Sequence, residues 1–142
     1  MDAQHDVWPV VAMVVLIFSV WGRLFATRIA EMKRERIHPQ AVALSAQALQ
    51  TFRDTRAADN LRNLFDLPVL FYVGMLFGAW LAIRTPALRV LAWLFVLLRI
   101  AYSAIQCTYN KVMYRLRAYF AGALTLWAFW AVIDGDCSRN ER

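Results

Sequence analysis

The sequence is short of charged residues, and this shortage argues against a soluble globular domain. Only 18% of its 142 residues are charged and 61% are hydrophobic, whereas a soluble domain has roughly a quarter charged and about half apolar residues. The chain also lacks the strand-like alternation of polar and apolar residues that a sheet requires. Its apolar residues form blocks of about 20, the length that a helix needs to cross ~30 Å of hydrocarbon. The composition therefore predicts an all-α integral membrane protein.

Cysteine and histidine are equally scarce, which excludes several kinds of membrane protein. Cys107 and Cys137 form no Cys-x-x-Cys pair, so a membrane thiol oxidoreductase is not expected. His5 and His38 fall outside the apolar blocks, whereas a haem-b protein of four helices needs histidines inside its bundle. The first block has no acidic residue of the kind that four-helix drug exporters need. No cluster of metal-ligating residues is visible, so no metal is expected.

The apolar blocks predict four transmembrane helices in a single domain over residues 1–142. The predicted spans cover residues 7–26, 64–83, 87–106 and 118–133. One long polar segment, residues 28–62, joins the first two spans, and within it Gln40–Gln50 has a helical pattern. The later connections, at Arg84–Pro86 and Asn110–Lys111, are so short that successive spans must be antiparallel. The sequence predicts an up-down-up-down four-helix bundle.

Basic residues are concentrated on one side of this predicted bundle. The polar segment 28–62 is rich in lysine and arginine, and the third connection adds Lys111, Arg115 and Arg117. The opposite side has Arg84 and Arg89 together with the acidic residues of the two ends, which are Asp2, Asp6, Asp134 and Asp136. The positive-inside rule then predicts that both termini lie on the non-cytoplasmic side of the membrane. This asymmetry accounts for the net charge of +6 without a nucleic-acid partner.

Polar side chains at membrane depth converge on the cytoplasmic third of the bundle. Arg99 shares one helical face with Tyr102, Ser103 and Gln106. Elsewhere the polar residues recur at helical spacing, as Asn60, Asn63 and Asp66 in the second span and as Arg115 and Tyr119 in the fourth. Ionisable residues at this depth are candidates for function. Because arginine binds carboxylates in a bidentate manner, the set predicts a small ligand that carries carboxylates.

Simpler explanations exist for each of these residues. Arg62 and Asp66 are four residues apart and can pair on one helix surface. Arg115 can extend towards lipid headgroups. Pro68 can be explained simply as a kink in its helix, which membrane helices tolerate. Arg99 is the hardest to explain as purely structural, because it lies inside the apolar run.

The second span resembles the signature of the MAPEG family, the membrane-associated proteins of eicosanoid and glutathione metabolism. That signature is Asn-x-x-Glu followed by a proline and a phenylalanine. Asn63 takes the place of its Asn, and Asp66 takes the place of its Glu. Asp66 stands where the family has Glu, and Pro68 follows it by two residues, where better-known transferases have a spacing of four. Asp59 occupies a position that holds an arginine in those enzymes, which leaves Arg56 or Arg62 to substitute for it. These departures resemble a bacterial branch of the family, and the resemblance implies a bacterial inner-membrane protein.

The third and fourth spans extend the resemblance over nearly the whole chain. Arg99-Ile-Ala-Tyr102 is similar to the third-span motif Arg-x-x-(His/Tyr), although Gln106 stands where a second tyrosine is common. Arg115 falls where the family has an arginine at the start of the fourth span, and Tyr119 follows it.

The resemblance implies a homotrimer that binds glutathione as cosubstrate between neighbouring subunits, near the cytoplasmic face. Arg115 is then the catalytic residue beside the glutathione sulfur, where a guanidinium favours the thiolate. The implied glutathione-binding residues are Arg62, Asn63, Asp66, Arg99, Tyr102, Gln106 and Tyr119. The implied activity is that of a glutathione transferase or peroxidase, which acts on lipophilic electrophiles that enter from the bilayer.

Two other functions remain open at the level of sequence. One is a non-catalytic membrane module that holds a lipid headgroup or another thiol in the same anionic-ligand pocket. The other is a structural subunit of a larger membrane complex. Gly74 and Gly78, like Ala118 and Gly122, are small residues four apart that allow close helix contacts. The sequence leaves open whether those contacts lie within a subunit or between subunits.

Overall fold

The computed structural model describes residues 7–109 and 111–140. Asp2, His5, Asp6 and Asn110, which entered the predictions above, lie outside the described residues. The helices are α1 (Trp8–Glu35), α2 (Ser45–Thr51), α3 (Arg56–Asn63), α4 (Leu67–Trp80), α5 (Pro86–Cys107) and α6 (Val112–Asn140), with a 3₁₀ turn at Pro39–Val42. The described ranges contain no strand. Four stretches, namely α1, α3 with α4, α5 and α6, are long and apolar enough to cross a membrane. The predicted all-α membrane fold with four such helices is confirmed.

The helices extend beyond most of the predicted spans. Helix α5 agrees with the prediction to within one residue at each end, but α1 continues to Glu35 and α6 begins at Val112. The continuation of α1 has no glycine or proline and is rich in good helix formers. It ends where Arg36 adopts a left-handed conformation, with φ of 52°. The polar segment therefore begins as helix and then folds back on α1, where the carboxylate of Glu31 accepts a 2.8 Å bond from the backbone N–H of Arg53.

The second span is interrupted at its start. Helix α3 ends at Asn63 and α4 begins at Leu67, so Arg62 and Asp66 belong to different helices and form no ion pair within the described residues. The explanation of these two residues as a pair on one helix surface is wrong. Pro68 lies in the first turn of α4, where its missing N–H costs no hydrogen bond. It begins a new helix and does not kink a continuous one.

The core lies where α4, α5 and α6 meet. Phe71, Phe95 and Phe129 come one from each helix, and all three are fully buried. The rings of Phe71 and Phe95 stack with centroids 4.8 Å apart, and Phe129 lies 5.7 Å from Phe71. Aromatic pairs in this geometry add about 0.5–1.5 kcal/mol each beyond the burial of their area. The outer faces carry many exposed large apolar side chains, as a lipid-facing surface requires.

The small residues make contacts within the chain. A Cβ on Gly74 would lie 2.6 Å from Cε1 of Phe129, and one on Gly78 would lie 3.2 Å from Cδ2 of Leu88. Gly122 approaches the guanidinium of Arg99, whose Nε and Nη2 would both be 3.7 Å from an added Cβ. These close approaches within one chain account for the small-residue spacing, which therefore no longer argues for contacts between subunits.

We expect Gly74→Ala to destabilise the protein. The new methyl group would collide with Phe129, which is fully buried and cannot move without disturbing the core. Overpacking of this kind costs about 1–3 kcal/mol, measurable as a lower melting temperature of the purified protein in detergent. Gly22→Ala is the matched control, because Gly22 is also helical and an added Cβ there meets nothing within 4 Å. It should be neutral or slightly stabilising; equal losses in both variants would contradict the packing account.

Candidate functional site

The end of the bundle where α5 finishes, here called the Cys107 end, contains a buried cation. Arg99 is 1% exposed, and its Nε, Nη1 and Nη2 have no hydrogen-bond partner within the described residues. The guanidinium lies over three aromatic rings, at 5.2 Å from the centroid of Phe95, 5.7 Å from Tyr102 and 5.5 Å from Tyr119. Cation–π contacts stabilise the charge, but they leave its N–H donors unsatisfied. A buried charge without a partner costs several kcal/mol.

Tyr102 connects this cation to α3. Its hydroxyl accepts a 2.8 Å hydrogen bond from Nδ2 of Asn63, and its ring lies 6.3 Å from that of Tyr119 on α6. A phenol that accepts one bond still has its own proton to donate. The side chain is 4% exposed, so its position is fixed by packing as well as by Asn63. Tyr102 is therefore a preorganised donor at the Cys107 end.

A cavity of about 200 Å³ lies beside these side chains. It is lined by Tyr102 and Tyr119 together with Val112, Arg115 and Leu116 of α6. Arg115 is half-buried and brings a second guanidinium to the cavity wall. Arg99 lies behind the two tyrosine rings and does not line the cavity. Whole-ligand pockets usually measure about 300–1,000 Å³, so the cavity of one chain has room for only part of a peptide-sized ligand.

The other residues of the predicted site, Arg62, Asp66 and Gln106, do not line this cavity. Arg62 is exposed and lines a different cavity of about 340 Å³, which also includes Arg28 and Asp59. Asp66 is exposed at the start of α4, where it interacts electrostatically with the guanidinium of Arg99 without an ion pair. Gln106 is 1% exposed, and its Oε1 has no hydrogen-bond partner within the described residues. The structure thus brings together Asn63, Arg99, Tyr102, Arg115 and Tyr119, and it leaves Arg62 apart from them.

Asn60 is a polar residue whose role the sequence did not reveal. It is fully buried, where it accepts a 3.2 Å bond from the hydroxyl of Ser103 and donates to Sγ of Cys107 at 3.5 Å. Asn60 and Asn63 are three residues apart and so share one face of a helix. This spacing was the sequence signal that could have identified Asn60. Nearby, Arg23 donates from Nη2 to the carbonyl of Cys107 at 2.8 Å and so ties α1 to the end of α5. These contacts hold α3 and α1 against α5 beside the cavity.

An exposed ion pair joins the polar segment to the same end. Nε and Nη2 of Arg56 donate to the two oxygens of Asp54, each at 2.9 Å, and Nη1 donates to the carbonyl of Thr108 at 3.2 Å. The hydrogen bonds from Arg56 hold the pKa of the Asp54 carboxyl below its ordinary value of 3.8. Since this pKa is lower in the folded state, the pair adds stability above pH 3.8, and that stability is lost as pH falls through the folded pKa.

We expect Asp54→Asn to destabilise the protein near neutral pH and to have less effect as pH falls. Near neutral pH the variant should melt only slightly below wild type, because solvent screens a pair that is not fully buried. As pH is lowered through the pKa of Asp54, the two melting temperatures should converge. The control is Glu35→Gln, which breaks the more exposed pair with Arg34 away from Thr108. A gap for Asp54→Asn that stays constant from neutral pH to pH 3 would contradict this assignment.

Comparison with known proteins identifies the family of the chain. The profile of the MAPEG family matches residues 7–133, a range that includes every residue of the site described above. No curated protein and no solved structure gives a significant match. No group of metal-ligating side chains occurs within residues 7–109 and 111–140. With four apolar helices of spanning length and a family match over nearly all of its length, the chain belongs to the MAPEG family, whose members are membrane proteins of eicosanoid and glutathione metabolism.

Proposed function

We propose that this protein binds glutathione at the Cys107 end and activates its thiol for attack on lipophilic electrophiles. One observation supports this proposal above the others. The guanidinium of Arg99 is buried without a hydrogen-bond partner among the described residues, directly behind the tyrosines that line a cavity. An ionisable residue buried at membrane depth is by default a candidate for a functional site. An anionic ligand in the cavity would add a counter-charge to the electrostatic interaction with Asp66, which forms no ion pair with Arg99.

Glutathione has the functional groups that this arrangement can recognise. It carries two carboxylates and a thiol; the cavity presents the phenol of Tyr102 and the guanidinium of Arg115, and the charge of Arg99 lies against the two tyrosine rings. Two opposite charges interact by about 4 kcal/mol at 4 Å and an effective dielectric constant of 20, and by about half of that at twice the distance. Arg99 can therefore favour a carboxylate across the tyrosine rings, and more strongly if Tyr119 turns aside to allow direct contact.

Arg115 is the residue that we assign to thiol activation. It lines the cavity on α6, and a guanidinium close to a thiol lowers its pKa, so that more thiolate is present at neutral pH. The thiol proton passes to solvent. The sulfur lone pair then forms a carbon–sulfur bond with an electrophile such as an activated aryl halide, and halide departs with the electron pair of the broken bond. A lipophilic electrophile would reach the site from the bilayer.

The proposed assembly is a homotrimer that completes the site. A cavity of about 200 Å³ is too small for all of glutathione, and the outward position of Arg62 and Asp66 leaves them available to a neighbouring subunit. The proposed orientation places the Cys107 end in the cytoplasm and both termini outside, because most of the basic residues lie at that end.

Calorimetry with purified protein in detergent tests the proposal. Glutathione should bind saturably, whereas glutathione with both carboxylates esterified should bind at least tenfold more weakly, because it lacks the charges that Arg99 and Arg115 favour. S-methylglutathione, which keeps both carboxylates and lacks an ionisable thiol, should still bind. Equal affinity for the free and esterified forms, or no binding to folded protein, would rule out recognition by carboxylate.

A further inference from the structure

The opposite end of the bundle, here called the Arg84 end, contains a larger cavity that the glutathione proposal does not use. It measures about 360 Å³ and lies between the first turn of α1, the last turns of α4 and the start of α5. Its walls are mainly apolar, formed by Val10, Met75, Leu76, Ala79 and Leu88 among others. We propose that this cavity binds an anionic phospholipid of the surrounding leaflet.

The local backbone explains why the cavity is present and why it is charged at its edge. Helix α4 ends at Trp80, and Ala82 turns the chain with φ of 53°. The N–H of Ile83 then bonds back to the carbonyl of Gly78 at 2.9 Å. This turn directs Arg84 and Arg89 to the same cavity. Arg84 is exposed and Arg89 is half-buried, so both charges are near the mouth and not in the core.

Two guanidinium groups above an apolar wall match an anionic headgroup attached to an acyl chain. Arginine pairs with the phosphate oxygens of a headgroup in a bidentate manner. A guanidinium has five N–H donors, so each arginine can bind a phosphate in addition to the contacts that it makes within the protein. A free phosphate would leave the apolar wall unused, and a zwitterionic lipid would gain little from two positive charges.

The size and place of the cavity distinguish this site from the glutathione site. Its volume is at the lower end of the range for ligand pockets, which suits a stretch of one acyl chain with the rest of the lipid in the bilayer. Arg89 and Cys107 lie near the two ends of α5, about 27 Å apart at 1.5 Å per residue. Loss of lipid at the Arg84 end should therefore leave the Cys107 end intact.

Native mass spectrometry of the full chain tests this proposal. The detergent-solubilised protein is offered equal amounts of dioleoylphosphatidylglycerol and dioleoylphosphatidylcholine. Wild type should retain the anionic lipid at least fivefold more, and Arg84→Gln combined with Arg89→Gln should lose that preference. The control is Arg139→Gln, which removes an exposed charge at the same end of the bundle but does not line the cavity. It should behave as wild type, and circular dichroism should show equal helix content in all variants.

A second variant tests the cavity separately from the charges. Ala79→Phe places a ring on an exposed cavity-lining position without changing charge, and it should reduce retention of the anionic lipid at least fivefold. The proposal is overturned if the double arginine variant retains the anionic lipid as wild type does, if the two lipids are retained equally, or if Ala79→Phe has no effect. Oleate is offered in a separate experiment, and retention of oleate without retention of phosphatidylglycerol would also overturn the proposal, since the site would then accept a fatty acid and not a phospholipid.

Discussion

Replacement of Arg99 by methionine is expected to weaken glutathione binding at least tenfold without lowering the melting temperature of the ligand-free protein. The guanidinium has no hydrogen-bond partner within the described residues, so its removal breaks cation–π contacts and the electrostatic interaction with Asp66, and it ends an unfavourable burial of charge. Replacing buried charge by an apolar side chain of similar volume is often neutral or stabilising. The loss of one unit of positive charge near a bound carboxylate costs about 2–4 kcal/mol at the distances considered above.

Glutathione affinity and melting temperature, measured together, distinguish an arginine that binds ligand from one that is structural. Arg99→Lys keeps the charge and should retain more binding than Arg99→Met, although the ammonium lacks the planar fork of arginine. The matched control is Arg139→Met, an exposed arginine at the opposite end of α6, which should change neither binding nor melting. If Arg99→Met lowered the melting temperature by several degrees, Arg99 would have a structural role. If it bound glutathione as wild type does, the charge would have no part in recognition.

Removal of Arg115 is expected to lower turnover at least tenfold at pH 7 and to displace the pH profile upward. A cation within about 4–6 Å shifts the pKa of an acidic group down by about 1–3 units, and a free thiol has a pKa near 8.5. In Arg115→Ala the midpoint of the rise of kcat with pH should therefore move up towards the pKa of a free thiol. A more basic thiolate is more nucleophilic, which recovers part of the lost turnover. The variant also loses the guanidinium that holds the sulfur in place, which lowers turnover further.

The test for Arg115 is conjugation of glutathione to an activated aryl halide, measured as kcat against pH. Arg115→Lys should retain much of the activity, because it keeps the positive charge on the cavity wall. Arg117→Ala is the control, since Arg117 is exposed and does not line the cavity. A profile whose midpoint is the same in wild type and Arg115→Ala would exclude Arg115 from thiol activation, even if the overall rate fell.

The sequence predicts α5 and its polar face well because the relevant signals are local. Apolar residues extend over nearly all of α5, and the spacing of Arg99, Tyr102, Ser103 and Gln106 places them on one face whatever the neighbours are. The structure confirms this by burying all four. Arg99 was the least easily explained residue in the sequence, and it is also the buried cation that most needs an anionic partner.

Other features depend on contacts that no local pattern contains. Arg62 and Asp66 have the spacing of a helical pair, yet the chain leaves the helix between them at Leu64–Asp66. The partner of Gly74 is Phe129, far along the sequence, so only the fold shows that the contact is within one chain. Asn60 has a predictable face, but its bonds to Ser103 and Cys107 require α3 to lie against α5. The cavity at the Arg84 end is likewise formed by segments remote in sequence.

A crystal structure of the protein with saturating glutathione tests the central claim most directly, because the claim concerns where one molecule lies. Density for glutathione should occupy the cavity lined by Tyr102, Arg115 and Tyr119, with its sulfur against Arg115. One carboxylate should face the Arg99 guanidinium, and a neighbouring subunit should close the remainder of the site. Glutathione bound elsewhere, or an unchanged cavity in crystals that hold saturating glutathione, would contradict the proposed function.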